Sequence, residues 1–167
     1  MKLEIATQEH ISQIQNLVNQ AYRGEEGWTK ETLIIEGDRA TKKEIETTIA
    51  DPNSHLLVAI NDAEVYSCIC IEVNNKSAYI GMFAVNPALQ ASGIGNQVLK
   101  LAEKYSSEEL GISHFIMAVI RQRPELIAYY ERRGYIRTGK IEDFPLHLDV
   151  GTPLIEGVTL EYLEKHT

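Results

Sequence analysis

Val85-Asn86-Pro87-Ala88-Leu89-Gln90-Ala91-Ser92-Gly93-Ile94-Gly95-Asn96 is the stretch on which the reading of this chain turns. An apolar strand ending at Val85 is stopped by Asn86-Pro87. Two glycines then open a helix whose apolar face carries Ile94, Val98, Leu101, Ala102 and Tyr105. The start of a helix leaves backbone N–H groups unpaired and carries a partial positive charge, so it suits phosphate. Glycine lets a backbone approach an anion without a Cβ in the way. The same glycines also suit a tight strand-to-helix turn with no ligand, and the stretch alone leaves both readings open.

Spacing removes two nucleotide-binding alternatives. A dinucleotide fingerprint wants a third glycine where Val98 stands, and an acidic residue ending a second parallel strand. The acidic pair Glu108-Glu109 falls within the helix instead. A phosphate loop of the Walker type wants Lys-Ser or Lys-Thr after its last glycine, and Asn96-Gln97 stands there.

Upstream, His55 to Ile60, Val65 to Val73 and Ala78 to Val85 alternate as strands in meander order, with turns at Asn61-Asp62-Ala63 and Asn74-Asn75-Lys76. Before them, Lys2 to Ala6 reads as a strand. Thr7 then caps a helix burying Ile11, Ile14, Leu17, Val18 and Ala21. The stretch Tyr22 to Arg39 reads as an irregular connection holding a short helix after Thr29. Thr41 and Glu44 form a capping box for a further helix that Asp51-Pro52 ends. Downstream of the quoted stretch the helix runs to Gly111, followed by an apolar and therefore interior strand, Ile112 to Ile120. Pro124 opens a helix that Gly134 closes. Tyr135 to Ile141 and Val158 to Leu163 form a last antiparallel pair across a long loop. The expectation is one domain over 1–167: mixed α/β, with a single, mostly antiparallel sheet of about seven strands flanked by helices.

The second informative stretch is Arg123-Pro124-Glu125-Leu126-Ile127-Ala128-Tyr129-Tyr130-Glu131-Arg132-Arg133-Gly134-Tyr135. Gln90-x-x-Gly93-x-Gly95 resembles the pyrophosphate loop of the GNAT superfamily of N-acetyltransferases. Tyr129 to Tyr135 is similar to that family's aromatic-Tyr-Glu-basic-x-Gly-aromatic ending. Both occur in the family's order and separation, and with the flanking strands the resemblance covers nearly the whole chain.

The resemblance implies an acyl-CoA N-acyltransferase fold and acetyl transfer from acetyl-CoA to an amine. Phe83, Ala84 and Val85 then match the strand that pairs with the pantetheine arm. Gln90, Ala91, Ser92, Gly93, Ile94, Gly95 and Asn96 match the pyrophosphate-holding loop and helix start. Tyr130 matches the tyrosine that protonates the departing thiolate. A phenol suits that task, because a thiolate near pKa 8.5 leaves more readily when a proton is supplied. Many members carry Asn at the position of Arg123, which is therefore expected either to reach a phosphate or to point to solvent. Glu25, Glu26 and Trp28 fall in the segment that forms the acceptor wall, although a charged loop can equally be just solvated.

Composition sets the remaining bounds. The 167 residues are 44% hydrophobic and 24% charged, enough for one well-filled core. Two cysteines, Cys68 and Cys70, exclude a secreted disulfide framework. With no completing histidine or cysteine they read as core residues, and no metal is expected. No apolar run spans a bilayer and no signal peptide is read at the N-terminus, so the expected location is cytoplasmic, with no membrane partner. The net charge of −8 argues against nucleic acid; it fits either a cationic acceptor or simple solubility. The expected activity is acetyl-CoA-dependent N-acetylation of a small-molecule or exposed protein amine. The alternative is an acyl-CoA-binding sensor without catalysis. Neither the acceptor nor the oligomeric state, monomer or homodimer, is legible.

Overall fold

The computed structural model describes residues 1–28 and 30–167. It opens with strand β1 (Glu4–Ile5), shorter than the Lys2 to Ala6 expected. Thr7 turns the chain into a single 3-10 turn, Gln8–His10, where the His10 ring takes the Thr7 N–H at 3.1 Å. Helix α1 (Ile11–Arg23) follows, and its buried residues are the five that the periodicity picks out. After the short strand β2 (Ile35–Glu36), helix α2 (Lys42–Ala50) starts where the Thr41 hydroxyl accepts the Glu44 N–H at 3.1 Å.

The short helix expected after Thr29 is not formed. Thr29 itself lies outside the described residues, and residues 32–34 make a turn leading into β2. Ile35 is fully buried and pairs with Pro153 of β8 (Thr152–Pro153), so a tertiary contact, not local periodicity, fixes this segment.

The meander forms as β3 (Ser54–Asn61), β4 (Glu64–Asn74) and β5 (Ser77–Val85). A 3-10 turn over Pro87–Leu89 leads to helix α3 (Ile94–Glu109), and β6 (His114–Ile120) begins two residues later than the sequence suggests. Helix α4 (Pro124–Glu131), β7 (Ile136–Asp143) and β9 (Thr159–His166) complete the chain. The seven-stranded sheet has the order β1-β3-β4-β5-β6-β9-β7, with β5–β6 its parallel pair.

Alternation along the strands loads both faces. Leu57, Ile69, Ile71 and Ile80 pack with Val98, Leu99, Ala102 and Ile127 of α3 and α4. Leu56, Val58, Cys68, Cys70 and Met82 pack on the other face against Ile14, Leu17 and Val18 of α1 and Ile45 of α2. Both cysteines are therefore core residues, free and buried. Burial pushes each thiol up to about 12.

Two irregularities open the sheet. Between the pairs Cys68–Ala84 and Cys70–Gly81 the β4–β5 register shifts, and Met82 there takes a left-handed φ of 45°. This is a bulge, a device that re-aims a strand beside a functional site. Strands β5 and β6 are paired at Ala78–Phe115 and Tyr79–Ile116 and then diverge. Beyond that point both strands face a wedge-shaped cleft.

Candidate active site

The cleft holds two cavities. The larger, about 540 Å³, lies between Tyr79 to Phe83 of β5 and Met117 to Ile120 of β6. The smaller, about 250 Å³, lies against the start of α3. Phe83, Leu126 and Tyr130 line both, so Tyr130 stands in the wall where the two meet.

Tyr130 reaches that position because α4 points its side chain into the core, where it is 8% exposed and edge-on to Tyr129 and Tyr135. Burial raises its pKa well above that of an ordinary phenol, with Tyr22 and Tyr129 adding to the effect. The phenol is therefore neutral, and holds a proton it can donate, throughout the physiological range. Tyr22, at the end of α1, donates to the Phe83 carbonyl at 3.0 Å and is raised to about 12, mainly by burial.

The smaller cavity has the features of an anion site. Gly93 precedes α3 with φ 87° and no side-chain cap, leaving the first-turn N–H groups to the loop side. A Cβ on Gly95 would meet the Tyr129 hydroxyl at 2.8 Å, so only glycine fits there as the site is built. Arg133 lines the cavity with its guanidinium stacked 3.4 Å over the Tyr129 ring, and its buried Nε has no hydrogen-bond partner among the described residues. An adjoining groove is lined by Asn96, Lys100, Arg132 and Arg133. Open helix N–H groups, a glycine cradle and a guanidinium in the wall fit a diphosphate.

Of the residues expected to hold the donor, Phe83, Val85, Gln90, Ala91, Gly93, Gly95 and Asn96 line this cavity. Ala84 faces the core, and its carbonyl accepts the buried Ser67 hydroxyl. The Ser92 hydroxyl turns back to the Leu89 carbonyl, and Ile94 packs against the core. Gln90 spans the site: its amide donates to the Val85 carbonyl at 3.1 Å and accepts the Trp28 N–H at 3.0 Å.

Arg123 follows neither expectation. It is 4% exposed, lines neither cavity, and donates to the Trp28 carbonyl at 2.9 Å and to the Glu125 carboxylate. Its buried position after β6 turns it inward, toward the loop. Trp28 is thus clasped by Gln90 and Arg123, tilts against Tyr129 at 5.3 Å, and lines the smaller cavity, away from the expected acceptor wall. Glu25 and Glu26 are exposed and line neither cavity.

The larger cavity recruits residues that the sequence reading passed over: Tyr22, Arg23, Glu31, Arg39, Glu142 and Asp143. Glu31 is paired with Arg23 at 2.8 Å, yet burial still raises its carboxyl above the usual range. Tyr129 and Arg133 were within reach of sequence reasoning, since both belong to the motif around Tyr130. The others come from a helix end, a loop and a strand end, with no local pattern to join them.

Among the described residues, His114, Glu164 and His166, at the opposite end of β6, bring their ligand atoms within 4.8 Å of one another. The two imidazoles stack at 4.0 Å with planes 6° apart, so their lone pairs run side by side and do not converge. His114 meets the Glu164 carboxylate at 2.9 Å instead.

With this geometry in place, comparison with known proteins is decisive on family. A profile of the acetyltransferase (GNAT) family matches residues 11–135. The chain belongs to the GNAT acetyltransferase family. It is accordingly an acyltransferase. No curated protein sequence matches individually. Among solved structures, a GNAT-fold neighbour is the ribosomal-protein-alanine N-acetyltransferase from Escherichia coli, at TM-score 0.73 and 12% identity over 99% of this chain and 92% of that one. A variant of the spermidine N-acetyltransferase from Vibrio cholerae superposes at 0.72 and 15% identity, covering 99% and 95%. The IAA acetyltransferase from Bacillus cereus gives 0.71 and 20% identity, with 99% of both chains covered. Identities this low speak to the shared GNAT fold and leave the acceptor of this member unassigned.

Proposed function

We propose that this GNAT protein transfers an acetyl group directly from acetyl-CoA to a primary amine, on a small molecule or an exposed protein amine. The observation that carries this reading is Tyr130, a buried neutral phenol in the shared wall of two cavities, one of which fits a diphosphate.

The activated acyl group is supplied by the donor's thioester. The open start of α3, Gly93, Gly95 and Arg133 hold the diphosphate end, and Trp28 and Phe83 wall the path inward. The β5 main chain, re-aimed by its bulge, orients the arm, and Tyr130 gives its proton to the leaving sulfur. The amine enters through the larger cavity. It must lose a proton before attack, and the acidic groups Glu31, Glu142 and Asp143 border its route. Two free, buried cysteines suit a reducing compartment, consistent with a cytoplasmic location. No helix among the described residues is long and apolar enough to cross a membrane.

The test is free-thiol release from acetyl-CoA across a panel of amines. Amine-dependent release supports the reading. Tight acetyl-CoA binding with no release for any amine would overturn it in favour of a sensor.

A further inference from the structure

A bulged main chain has to be held. Met82 takes a left-handed φ of 45°, which its Cβ disfavours, and such a conformation persists only where its surroundings fix it. Three consecutive carbonyls of β5 are tied here by side chains. The Cys68 thiol meets the Met82 carbonyl at 3.3 Å, the Tyr22 hydroxyl donates to that of Phe83 at 3.0 Å, and the Ser67 hydroxyl donates to that of Ala84 at 2.8 Å. Cys68 and Ser67 belong to the neighbouring strand β4 and are fully buried. Tyr22 reaches in from the end of α1, and it is the one of the three that lines the larger cavity.

The tyrosine is itself positioned. Its carbonyl accepts the Glu31 N–H at 2.8 Å, and the Arg39 guanidinium lies 5.5 Å over its ring. Asn19, one turn earlier on α1, fixes the Arg39 backbone by accepting the N–H groups of Arg39 and Ala40 at 2.8 and 3.0 Å. The Tyr22 hydroxyl proton is committed to the Phe83 carbonyl, so Tyr22 is not a second acid beside Tyr130. What it governs is main chain. Phe83 lines both cavities, on the stretch of β5 that no longer pairs with β6. During acyl transfer the thioester oxygen gains negative charge as the amine nitrogen bonds the carbonyl carbon, and loses it as the C–S bond breaks. Backbone N–H groups aimed at that oxygen stabilise the charge, provided they are fixed beforehand. Peptide planes are rigid, so a bond to a bulge carbonyl fixes the plane that carries it.

We infer that Tyr22 is a positioning residue for acyl transfer: its hydroxyl holds the Met82–Phe83 bulge so that the β5 main chain polarises the donor's thioester carbonyl. The inference rests on the acetyl-CoA reading of the cleft. Tyr22→Phe tests it, because the ring keeps its place under Arg39 and only the hydroxyl is lost. In the donor-free protein, amide hydrogen exchange at Met82, Phe83 and Ala84 should quicken about threefold to tenfold, the worth of one neutral hydrogen bond, while Ala78 to Ile80 keep the parent rates. With acetyl-CoA bound, isotope-edited infrared spectroscopy of the labelled carbonyl reads polarisation directly. The parent band should lie below that of free acetyl-CoA, and Tyr22→Phe should return it toward the free value. Tyr130→Phe, which alters the proton supply to sulfur, should leave the band where the parent has it. The Tyr22→Phe kcat should fall about tenfold, less than the ~10²–10³ lost when an oxyanion donor itself is removed, with acetyl-CoA affinity within about twofold of the parent. A merely structural tyrosine would lower stability and leave the carbonyl band unmoved. Acetyl-CoA that fails to bind the parent overturns the transferase reading and this role with it. A bound donor whose carbonyl band is the same in parent and Tyr22→Phe overturns this role alone.

Discussion

A Cβ built on Gly95 would sit 2.8 Å from the hydroxyl oxygen of Tyr129. That ring cannot swing away freely, because Arg133 stacks on it at 3.4 Å and Trp28 tilts against it at 5.3 Å. Gly95→Ala should therefore displace the aromatic wall of the donor cavity and weaken acetyl-CoA binding about tenfold. Adding Tyr129→Phe removes the clashing oxygen and should recover part of the loss. Calorimetric titration of the single and double variants checks both. Equal affinity for the parent and Gly95→Ala would show that the donor does not use this cavity.

Tyr130→Phe keeps the ring and its packing and deletes only the hydroxyl. General acid catalysis contributes ~10²–10⁴-fold, and a thiolate is a tolerable leaving group, so kcat should fall toward the lower end of that range with acetyl-CoA affinity retained. Because burial raises the Tyr130 pKa, the phenol stays protonated past the ordinary value near 10. The parent kcat should show no alkaline decline from loss of this acid below about pH 10. A pre-steady-state pH profile, in which chemistry is isolated from product release, reads both effects. An unchanged chemical rate in the variant would exclude Tyr130 as the acid.

Arg123→Met should act through Trp28. Losing the bond to the Trp28 carbonyl leaves that loop less fixed, at a cost of roughly 1–3 kcal/mol in stability. The acetyl-CoA Kd should rise a few-fold, while its dependence on salt stays the same. A reduced salt dependence would instead mean that Arg123 itself pairs with a phosphate.

Glu25→Gln with Glu26→Gln is expected to do little. Both side chains are exposed and line neither cavity, so the acceptor KM should change less than about twofold at physiological salt. Steady-state kinetics at two ionic strengths would check it.

The buried thiols make stability fall on the alkaline side. Cys68 and Cys70 titrate near 9 when unfolded but at about 12 in the fold, because burial disfavours the thiolate. A raised folded pKa gives stability that is fully present below pH 9. It declines as pH rises toward 12, by up to about 1.4 kcal/mol per pH unit for each thiol. Denaturant titrations from pH 8 to 10.5 should show a shallower decline in Cys68→Ala with Cys70→Ala than in the parent.

Much of this was legible in the sequence where a pattern is local. The α1 face, the three meander strands and the Gly93–Gly95 helix start follow from periods of 3.6 and 2 and from glycine placement. Tyr130 was legible because its motif fixes it on α4, one turn before a glycine. The place of Arg39 in the cavity wall was not, since it is set by Asn19 twenty residues earlier. The inward turn of Arg123 and the pairing of β2 with β8 were hidden for the same reason: each depends on a partner far along the chain. Sheet order was also out of reach, because β9 inserts between β6 and β7 and nothing in a strand's own composition announces its neighbour.

The two rungs that join β5 to β6 leave the sheet with a seam. On one side lie β1, β3, β4 and β5; on the other lie β6, β9 and β7. Beyond Tyr79 and Ile116 the cohesion between these halves falls to side chains and to whatever molecule lies in the gap. A ligand touching both banks is then a cross-tie as well as a reactant. At a hundred times its Kd it adds about 2.7 kcal/mol to the folded state. The amides along both banks of the seam should be the ones whose hydrogen exchange slows most when it is filled.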